Sequence, residues 1–253
     1  KQKTAYEISL GLVGAEMCIR DRVTTADTRM PDAVIQANVA LHLRLTVKRQ
    51  SHGKQEYPSS PMGAVALARQ AMHDSLWYRQ AQATYQSNRV PPPEHNDSLE
   101  VLKEYFNGQQ LVIIDAPDEQ YFLRADRFAH EFSLRAVMRS SGHEYRQLAA
   151  VSDSARTVIV PVRTVKAPDV ASPETAIDVT LEDLMHWDLA PENPGRLASQ
   201  GVPIALTGHG LKDPANFLDK VRTAVHRGLS PNDALRAMTT LPAELFGIGN
   251  RLG

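Results

Sequence analysis

Cysteine is almost absent from this sequence, in which Cys18 is the only one. An intramolecular disulfide cannot form, so a disulfide-stabilised scaffold is excluded, and so is a zinc site built from cysteine pairs. No apolar run approaches the roughly 20 residues that a membrane-spanning helix needs. We therefore expect no membrane partner, while the compartment, cytoplasmic or exported, stays open.

An excess of charge of one sign is also missing. The chain has 28 Lys and Arg against 29 Asp and Glu, a net charge of -1. Nucleic-acid binding depends on a basic surface, so we expect no nucleic-acid partner. The serine-hydrolase motif Gly-x-Ser-x-Gly, the Walker phosphate loop and Gly-x-Gly-x-x-Gly do not occur either, and the enzyme classes that need them are disfavoured.

The first 22 residues differ from the rest. A short apolar centre lies between Glu7 and Glu16, without the longer apolar core and cleavage site of a secretory signal. The segment resembles a translated sequencing-adapter read, as seen at the ends of metagenomic gene predictions. We expect residues 1–22 to be an artefact or a disordered segment, with a genuine amphipathic helix as the alternative. The natural chain is then a bacterial fragment that continues upstream of Val23.

Local periodicity predicts the elements that follow. Apolar residues alternate over 41–47, which indicates a half-buried strand with His42 on its polar face. Ser60 and Pro61 form an N-cap and a first-turn proline, and they predict one long helix that ends near Asn88. Its apolar stripe is expected at Met62, Val65, Arg69, Met72 and Leu76. Residues 89–97, which contain three consecutive prolines, are a possible internal connector.

Beyond residue 98 the pattern becomes regular. Short apolar runs alternate with amphipathic helical sequence, which is typical of parallel βαβ units. The predicted strands are LVIID (111–115), LRAVMR (134–139), TVIVPV (157–162) and VPIALT (202–207). A doubly wound sheet and a barrel share this pattern, so periodicity alone leaves both open.

The C-terminal segment GLSPNDALRAMTTLPAELFGIGNRLG (228–253) resembles the end of the barrel in amidohydrolases of the imidazolonepropionase-like group. Residues 190–211, 111–148 and 57–78 resemble earlier units of the same group. The resemblance implies that 23–253 is a partial (β/α)8 TIM barrel of amidohydrolase type, without the N-terminal strands and the β-sandwich of the family.

The resemblance also implies a function. The family hydrolyses non-peptide C–N bonds of small amides and cyclic amides through a water activated by divalent metal, zinc in particular. Its ligands lie at the C-terminal ends of barrel strands. They include a His-x-His pair, which this sequence lacks.

Three residues stand where other metal ligands are expected. Asp115 follows LVIID, with a turn residue before Ala116-Pro117 as the alternative reading. His143 follows LRAVMR; alternatively it starts a helix and faces solvent. His209, in Thr-Gly-His-Gly, replaces the family carboxylate and is expected both to bind metal and to accept the catalytic proton. The alternative for His209 is a degenerate site.

Arg146 resembles a family position that shapes the substrate mouth, although a surface helix residue is the commoner explanation. No role is expected for His130 and His186, which are predicted on helices, or for His226 on an exposed helix face.

Two functional hypotheses follow. The first is a metal-dependent hydrolase with a small-molecule substrate. The second is a catalytically degenerate amidohydrolase-like domain with a binding or structural role, in a homo-oligomer or beside an active domain in the same polypeptide. Under either hypothesis the isolated fragment is expected to be inactive.

Overall fold

The computed structural model describes residues 8–9, 16–23, 34–47, 58–88 and 91–250. The chain divides into two compact units. The first comprises 1–115 and 127–136, and the second 116–126 and 137–253.

The strands, in chain order, are β1 (Ile8–Ser9), β2 (Glu16–Val23), β3 (Val34–Arg44), β4 (Leu111–Asp115), β5 (Arg135–Arg139), β6 (Val158–Pro161) and β7 (Ile204–Thr207). The helices are α1 (Pro61–Asn88), α2 (Asp97–Leu102), α3 (Glu119–Glu131), α4 (Leu148–Asp153), α5 (Pro173–Ile177), α6 (Leu181–Leu189), α7 (Asn193–Ser199), α8 (Phe217–His226), α9 (Pro231–Met238) and α10 (Thr240–Leu245). Short 3-10 segments lie at Lys103–Gly108, Glu144–Gln147, Ala190–Glu192 and Pro214–Asn216. Within the described ranges, no helix combines the length and the apolar character that crossing a membrane requires.

The first unit contains the strands β1 to β4. β1 and β2 pair antiparallel, as do β2 and β3, whereas β3 and β4 run parallel with Arg44 opposite Asp115. The predicted strand is confirmed up to Arg44, and its apolar residues Leu41 and Leu43 are buried as expected. His42, expected on the polar face, is only 9% exposed, because a strand inside a sheet can be covered on both faces. β1 and most of β2 lie within residues 1–22, and the adapter origin of that segment stays a prediction.

Helix α1 confirms the predicted long helix but turns a different face inward. The Ser60 hydroxyl accepts a hydrogen bond from the Gly63 amide at 3.2 Å at its start. The expected stripe is largely wrong, since Met62 is 81% exposed. Of that stripe only Met72 is buried; the buried residues instead are mostly small, and they are Ala64, Ala68, Ala71, Met72, Ser75 and Tyr78. The buried face of α1 thus combines alanines with Met72 and Tyr78 and lies elsewhere than the predicted stripe.

The predicted connector separates α1 from α2, since residues 91–96 have no helical structure. The Asn96 side chain caps α2 by accepting the Leu99 amide at 3.1 Å. Beyond α2, Phe106 is buried and meets the ring of Phe132 edge-on at 6.4 Å between centroids.

The second unit is built on parallel strands. β6 pairs with β5 and with β7, with Val158 opposite both Met138 and Ile204. Helical segments separate β5, β6 and β7 in sequence, as the βαβ pattern predicts. The α/β class with parallel strands is confirmed, whereas closure into a barrel remains a prediction.

Helix α7 packs against the turn that follows α8 at a glycine. A Cβ atom placed on Gly195 would lie 2.8 Å from the backbone of Gly228 and Leu229. Backbone atoms cannot move aside as a flexible side chain can, so this close approach requires glycine.

We predict that Gly195→Ala lowers the free energy of unfolding by about 1–3 kcal/mol, because overpacking outweighs the gain in helix propensity. Gly249→Ala is the matched control, since its nearest neighbour would be the Glu244 Cγ at an ordinary 3.6 Å. Urea unfolding of both variants measures the difference. Equal stability of the two variants would contradict the close approach.

Candidate functional site

Candidate residues lie in both units, and each group is described by itself. In the first unit, Asp115 ends β4 and is 8% exposed. Its Oδ1 lies 2.7 Å from the Nε2 of His42, and its Oδ2 accepts a hydrogen bond from the Nε of Arg44 at 3.2 Å. Asp115 is therefore a buried carboxylate held by two side chains of the neighbouring strand, and the reading as a simple turn residue is wrong.

The role of His42 was missed because the sequence places it on the polar face of a strand. The spacing of His42 and Arg44 in the sequence could have indicated this contact. His42 and Arg44 are two residues apart, which puts both side chains on one face of β3. A carboxylate at the end of the strand paired with β3 can meet them there, and Asp115 stands opposite Arg44.

We predict that Asp115→Asn lowers the free energy of unfolding by about 3 kcal/mol, because it leaves buried donors without their carboxylate. The matched control is Asp97→Asn. Asp97 pairs with His95 at 2.8 Å but is 93% exposed, so its loss should cost about 0.5 kcal/mol or less. Chemical denaturation compares the two, and a similar small loss in both would show that the Asp115 cluster contributes nothing to stability.

In the second unit, the loop after β5 forms hydrogen bonds with two fully buried side chains, those of Glu144 and Asn193. The Glu144 carboxylate accepts hydrogen bonds from the amides of Ser141 at 3.1 Å and Gly142 at 3.2 Å, and from the Asn193 side chain at 2.8 Å. The Asn193 carbonyl oxygen accepts the Tyr145 amide at 2.8 Å. Burial raises the pKa of Glu144, although these hydrogen bonds oppose the rise.

We call this buried network the Glu144–Asn193 clamp. It holds the loop that carries the side chains of His143 and Tyr145. His143 stacks on His186 of α6, with 3.9 Å between ring centroids and 5° between planes. The Nδ1 of His143 lies 3.0 Å from the Ser141 hydroxyl, and the Nδ1 of His186 lies 3.1 Å from the Tyr145 hydroxyl. His143 is the N-cap of the 3-10 segment Glu144–Gln147, so the expectation that it starts a helix is confirmed. It is half-buried and stacked and does not point freely into solvent.

The surroundings keep both imidazoles neutral at neutral pH. Burial lowers the pKa of His143, and the charges of Arg146 and Arg163 lower it further. Burial, followed by the charges of His143, Arg146 and Arg163, lowers the pKa of His186 to about 4. Sequence reasoning gave His186 no role, because nothing local to α6 reveals a contact with the loop after β5.

The sequence offered two interpretations of Arg146, a residue of the substrate mouth or a surface helix residue, and the structure agrees fully with neither. It forms a salt bridge with Glu182 of α6 at 2.8 Å, and its guanidinium lies 5.9 Å from the centre of the Tyr145 ring. It joins the loop after β5 to α6, and its expected contribution to a substrate mouth remains a prediction.

His209 lies in the loop after β7 and is exposed. Its backbone amide donates to the Thr207 hydroxyl at 3.2 Å. The expected metal-binding and catalytic roles of His209 stay predictions.

Among the residues that the structure describes, no three or more His, Cys, Asp or Glu side chains form a group that could hold a metal ion. A catalytic zinc ordinarily has three protein ligands. Asp115, the carboxylate of the expected set, interacts with His42 and Arg44. Metal binding by Asp115, His143 and His209 stays a prediction.

Comparison with known proteins identifies the fold. No protein-family model matches the chain, and no curated protein matches it in sequence. A solved amidohydrolase from Thermotoga maritima MSB8 matches 95% of this chain and 63% of its own, at 19% identity and a TM-score of 0.73. The chain shares the fold of that amidohydrolase. It spans 63% of the length of that protein.

Two other structural neighbours are more distant. They are an amidohydrolase and a prolidase complexed with N-methylphosphonate-L-proline. Each is 16% identical and matches 81% of this chain and 54% of its own, with TM-scores of 0.45 and 0.46.

We predict that the stacked histidines make stability depend on pH. The folded-state pKa of His186, about 4, is below its ordinary 6.5. The unfolded chain therefore binds more protons between these values, and the His186 contribution to the free energy of unfolding rises as pH increases from about 4 to 6.5. His186→Phe should flatten the pH dependence, whereas His226→Phe, at an exposed position of α8, should leave it unchanged. Denaturation at several pH values measures both, and parallel curves for all three proteins would refute the shift.

Proposed function

We propose that the chain is part of an amidohydrolase-type hydrolase that acts on non-peptide C–N bonds of small amides or cyclic amides. Two observations support the proposal. The fold likeness to the Thermotoga amidohydrolase extends over 95% of the chain, and residues 228–253 resemble the end of the family barrel. The imidazolonepropionase-like group is the branch to which this proposal assigns the chain.

The placement of polar side chains carries the proposal. In the second unit, His143 follows β5, Arg163 follows β6 and His209 follows β7. Because the three strands are parallel, these residues follow their C-terminal ends, where α/β-barrel enzymes hold their catalytic groups. A neutral imidazole such as that of His143 can accept a proton from water or donate one to a leaving amine.

The proposed reaction replaces the C–N bond by a C–O bond from water. Activation of that water by zinc or another divalent metal is the family expectation, but the described residues do not supply the ligands for it. What the described residues do supply is a half-buried imidazole, His143, whose position is fixed by the Glu144–Asn193 clamp. His143 is the residue that we assign to proton transfer, and Arg146 the one that we assign to the substrate mouth.

The test is an activity screen of the hydrolase of which this chain is proposed to be part, with N-acyl amino acids and cyclic amides, with and without added Zn²⁺ or Mn²⁺. We expect amine release from one of these classes, a loss of about 100-fold or more in kcat for His143→Ala, and no turnover by the 253-residue chain alone. His226→Ala is the matched control and should keep full activity. Absence of turnover by the larger protein in every class, with metal present, would refute the proposal.

A second candidate function is a degenerate domain that binds small amides without cleaving them. The observation in its favour is that Asp115, an expected metal ligand, is engaged by His42 and Arg44. Binding of an amide in the same screen, with neither product nor metal dependence, would support this function over hydrolysis.

A further inference from the structure

We propose that His186 is a positioning residue, whose ring fixes the orientation of the His143 imidazole. The contact between the two rings belongs to the folded chain and can be tested without a substrate. Its benefit for proton transfer by His143 rests on the proposed function.

The geometry of the two rings is the first support. Their centroids are 3.9 Å apart and their planes differ by 5°, so the ring of His186 covers one face of the ring of His143. The ring torsion of a histidine has only a broad preference, so a neighbour is needed to fix the plane of the ring. The Ser141 hydroxyl, 3.0 Å from the Nδ1 of His143, contacts an edge of this ring, whereas His186 contacts a face.

His186 is itself held by a second side chain of the same loop. Its Nδ1 lies 3.1 Å from the Tyr145 hydroxyl, and the two rings are nearly parallel, at 6.0 Å and 19°. The loop that carries His143 and Tyr145 is held by the Glu144–Asn193 clamp. The ring of His186 therefore contacts two side chains of one fixed loop, and it can orient His143 relative to that loop.

Helix α6 supports this contact and contributes little to the hydrophobic core. None of its residues is buried, and Leu181 and Met185 are 73% and 48% exposed. Glu182 pairs with Arg146 of the loop at 2.8 Å, and His186 stacks on His143. Glu182 and His186 are four residues apart, so they lie on the same face of the helix. The face that α6 turns toward the loop after β5 is thus the one that carries His186.

Both ends of α6 are fixed by contacts that do not involve His186. At the start, the Thr180 hydroxyl accepts a hydrogen bond from the Asp183 amide at 3.1 Å. Near the end, the guanidinium of Arg227, which follows α8, donates to the Asp188 carboxylate at 2.6 Å. We therefore expect α6 to keep its place when the side chain of His186 is changed.

The positioning has a defined consequence for proton transfer. A general base acts only while it lies within hydrogen-bond reach of the proton that it accepts. A displacement of about 1 Å can lower the rate about 100-fold. A His143 ring that rotates is in reach for only part of the time, so kcat should fall while KM stays nearly unchanged.

The first test measures the motion of the His143 ring in the 253-residue chain. Carbon-13 relaxation of the ring C–H groups reports motion on the picosecond to nanosecond timescale. We expect the His143 ring to be more mobile in His186→Ala. His186→Phe retains a flat ring beside His143 and should keep it as rigid as in the original chain. Met185→Ala, at an exposed position of α6, is the matched control and should also leave it rigid.

Circular dichroism and thermal melting check that each variant is folded. A His143 ring that is equally rigid in folded His186→Ala would overturn the proposal. A ring that is as mobile in His186→Phe as in His186→Ala would overturn the assignment to stacking.

The second test uses the larger hydrolase and the substrate class that it turns over. His186→Ala should lower kcat about 10-fold and change KM less than about 2-fold, whereas His186→Phe should stay within about 3-fold of the original kcat. Added to His143→Ala, His186→Ala should cause no further loss, because His186 acts through His143. Met185→Ala should keep full activity. A further loss in the double variant would show that His186 acts by another route, and it would overturn the positioning role.

The outcome is separable from that of the proposed function. Absence of hydrolysis by the original protein would refute the hydrolase, while the relaxation measurement still decides whether His186 fixes the His143 ring. Hydrolysis that is unaffected by His186→Ala, although the His143 ring becomes mobile, would overturn the positioning role and leave the hydrolase standing.

Discussion

The organisation of the second unit depends on the burial of one carboxylate. Glu144 and Asn193 are both fully buried, and each exchanges hydrogen bonds with the loop after β5. Leaving such a group unsatisfied costs about 1–3 kcal/mol, so the loop is held in the one conformation that satisfies it. His143 and Tyr145 lie on either side of Glu144, and their side chains are the ones that meet His186. The buried network therefore determines the geometry of the outward-facing rings.

Buried polar groups have different roles in the two units. In the first, Asp115, His42 and Arg44 satisfy one another across the paired strands β3 and β4. In the second, the network of Glu144 and Asn193 is buried beneath the loop that carries His143. Catalysis depends on the site and not on the fold, so similarity to the fold of an amidohydrolase does not by itself assign the chemistry. The account of the site rests on His143 and His186, which stack on each other although they are far apart in sequence.

Local sequence predicted the strands beyond residue 98, and long-range contacts explain what it missed. The predicted runs LVIID and VPIALT contain β4 and β7, because a short apolar run is a local feature of the sequence. The buried face of α1 was not predicted, since it combines alanines with Met72 and Tyr78 and leaves Met62 exposed. The contact of Tyr145 with His186 joins residues 41 apart, and that of Glu144 with Asn193 joins residues 49 apart. The periodicity of apolar residues along the sequence does not reveal contacts between such distant residues. The contact of His186 with the loop after β5 could therefore not be predicted from the sequence.

The protonation of the stacked histidines tests the central claim most directly. Nitrogen-15 NMR of imidazole-labelled protein at neutral pH distinguishes a neutral ring from a charged one. The account predicts that His143 and His186 are both neutral, because burial lowers the pKa of each. A charged ring at neutral pH would contradict it.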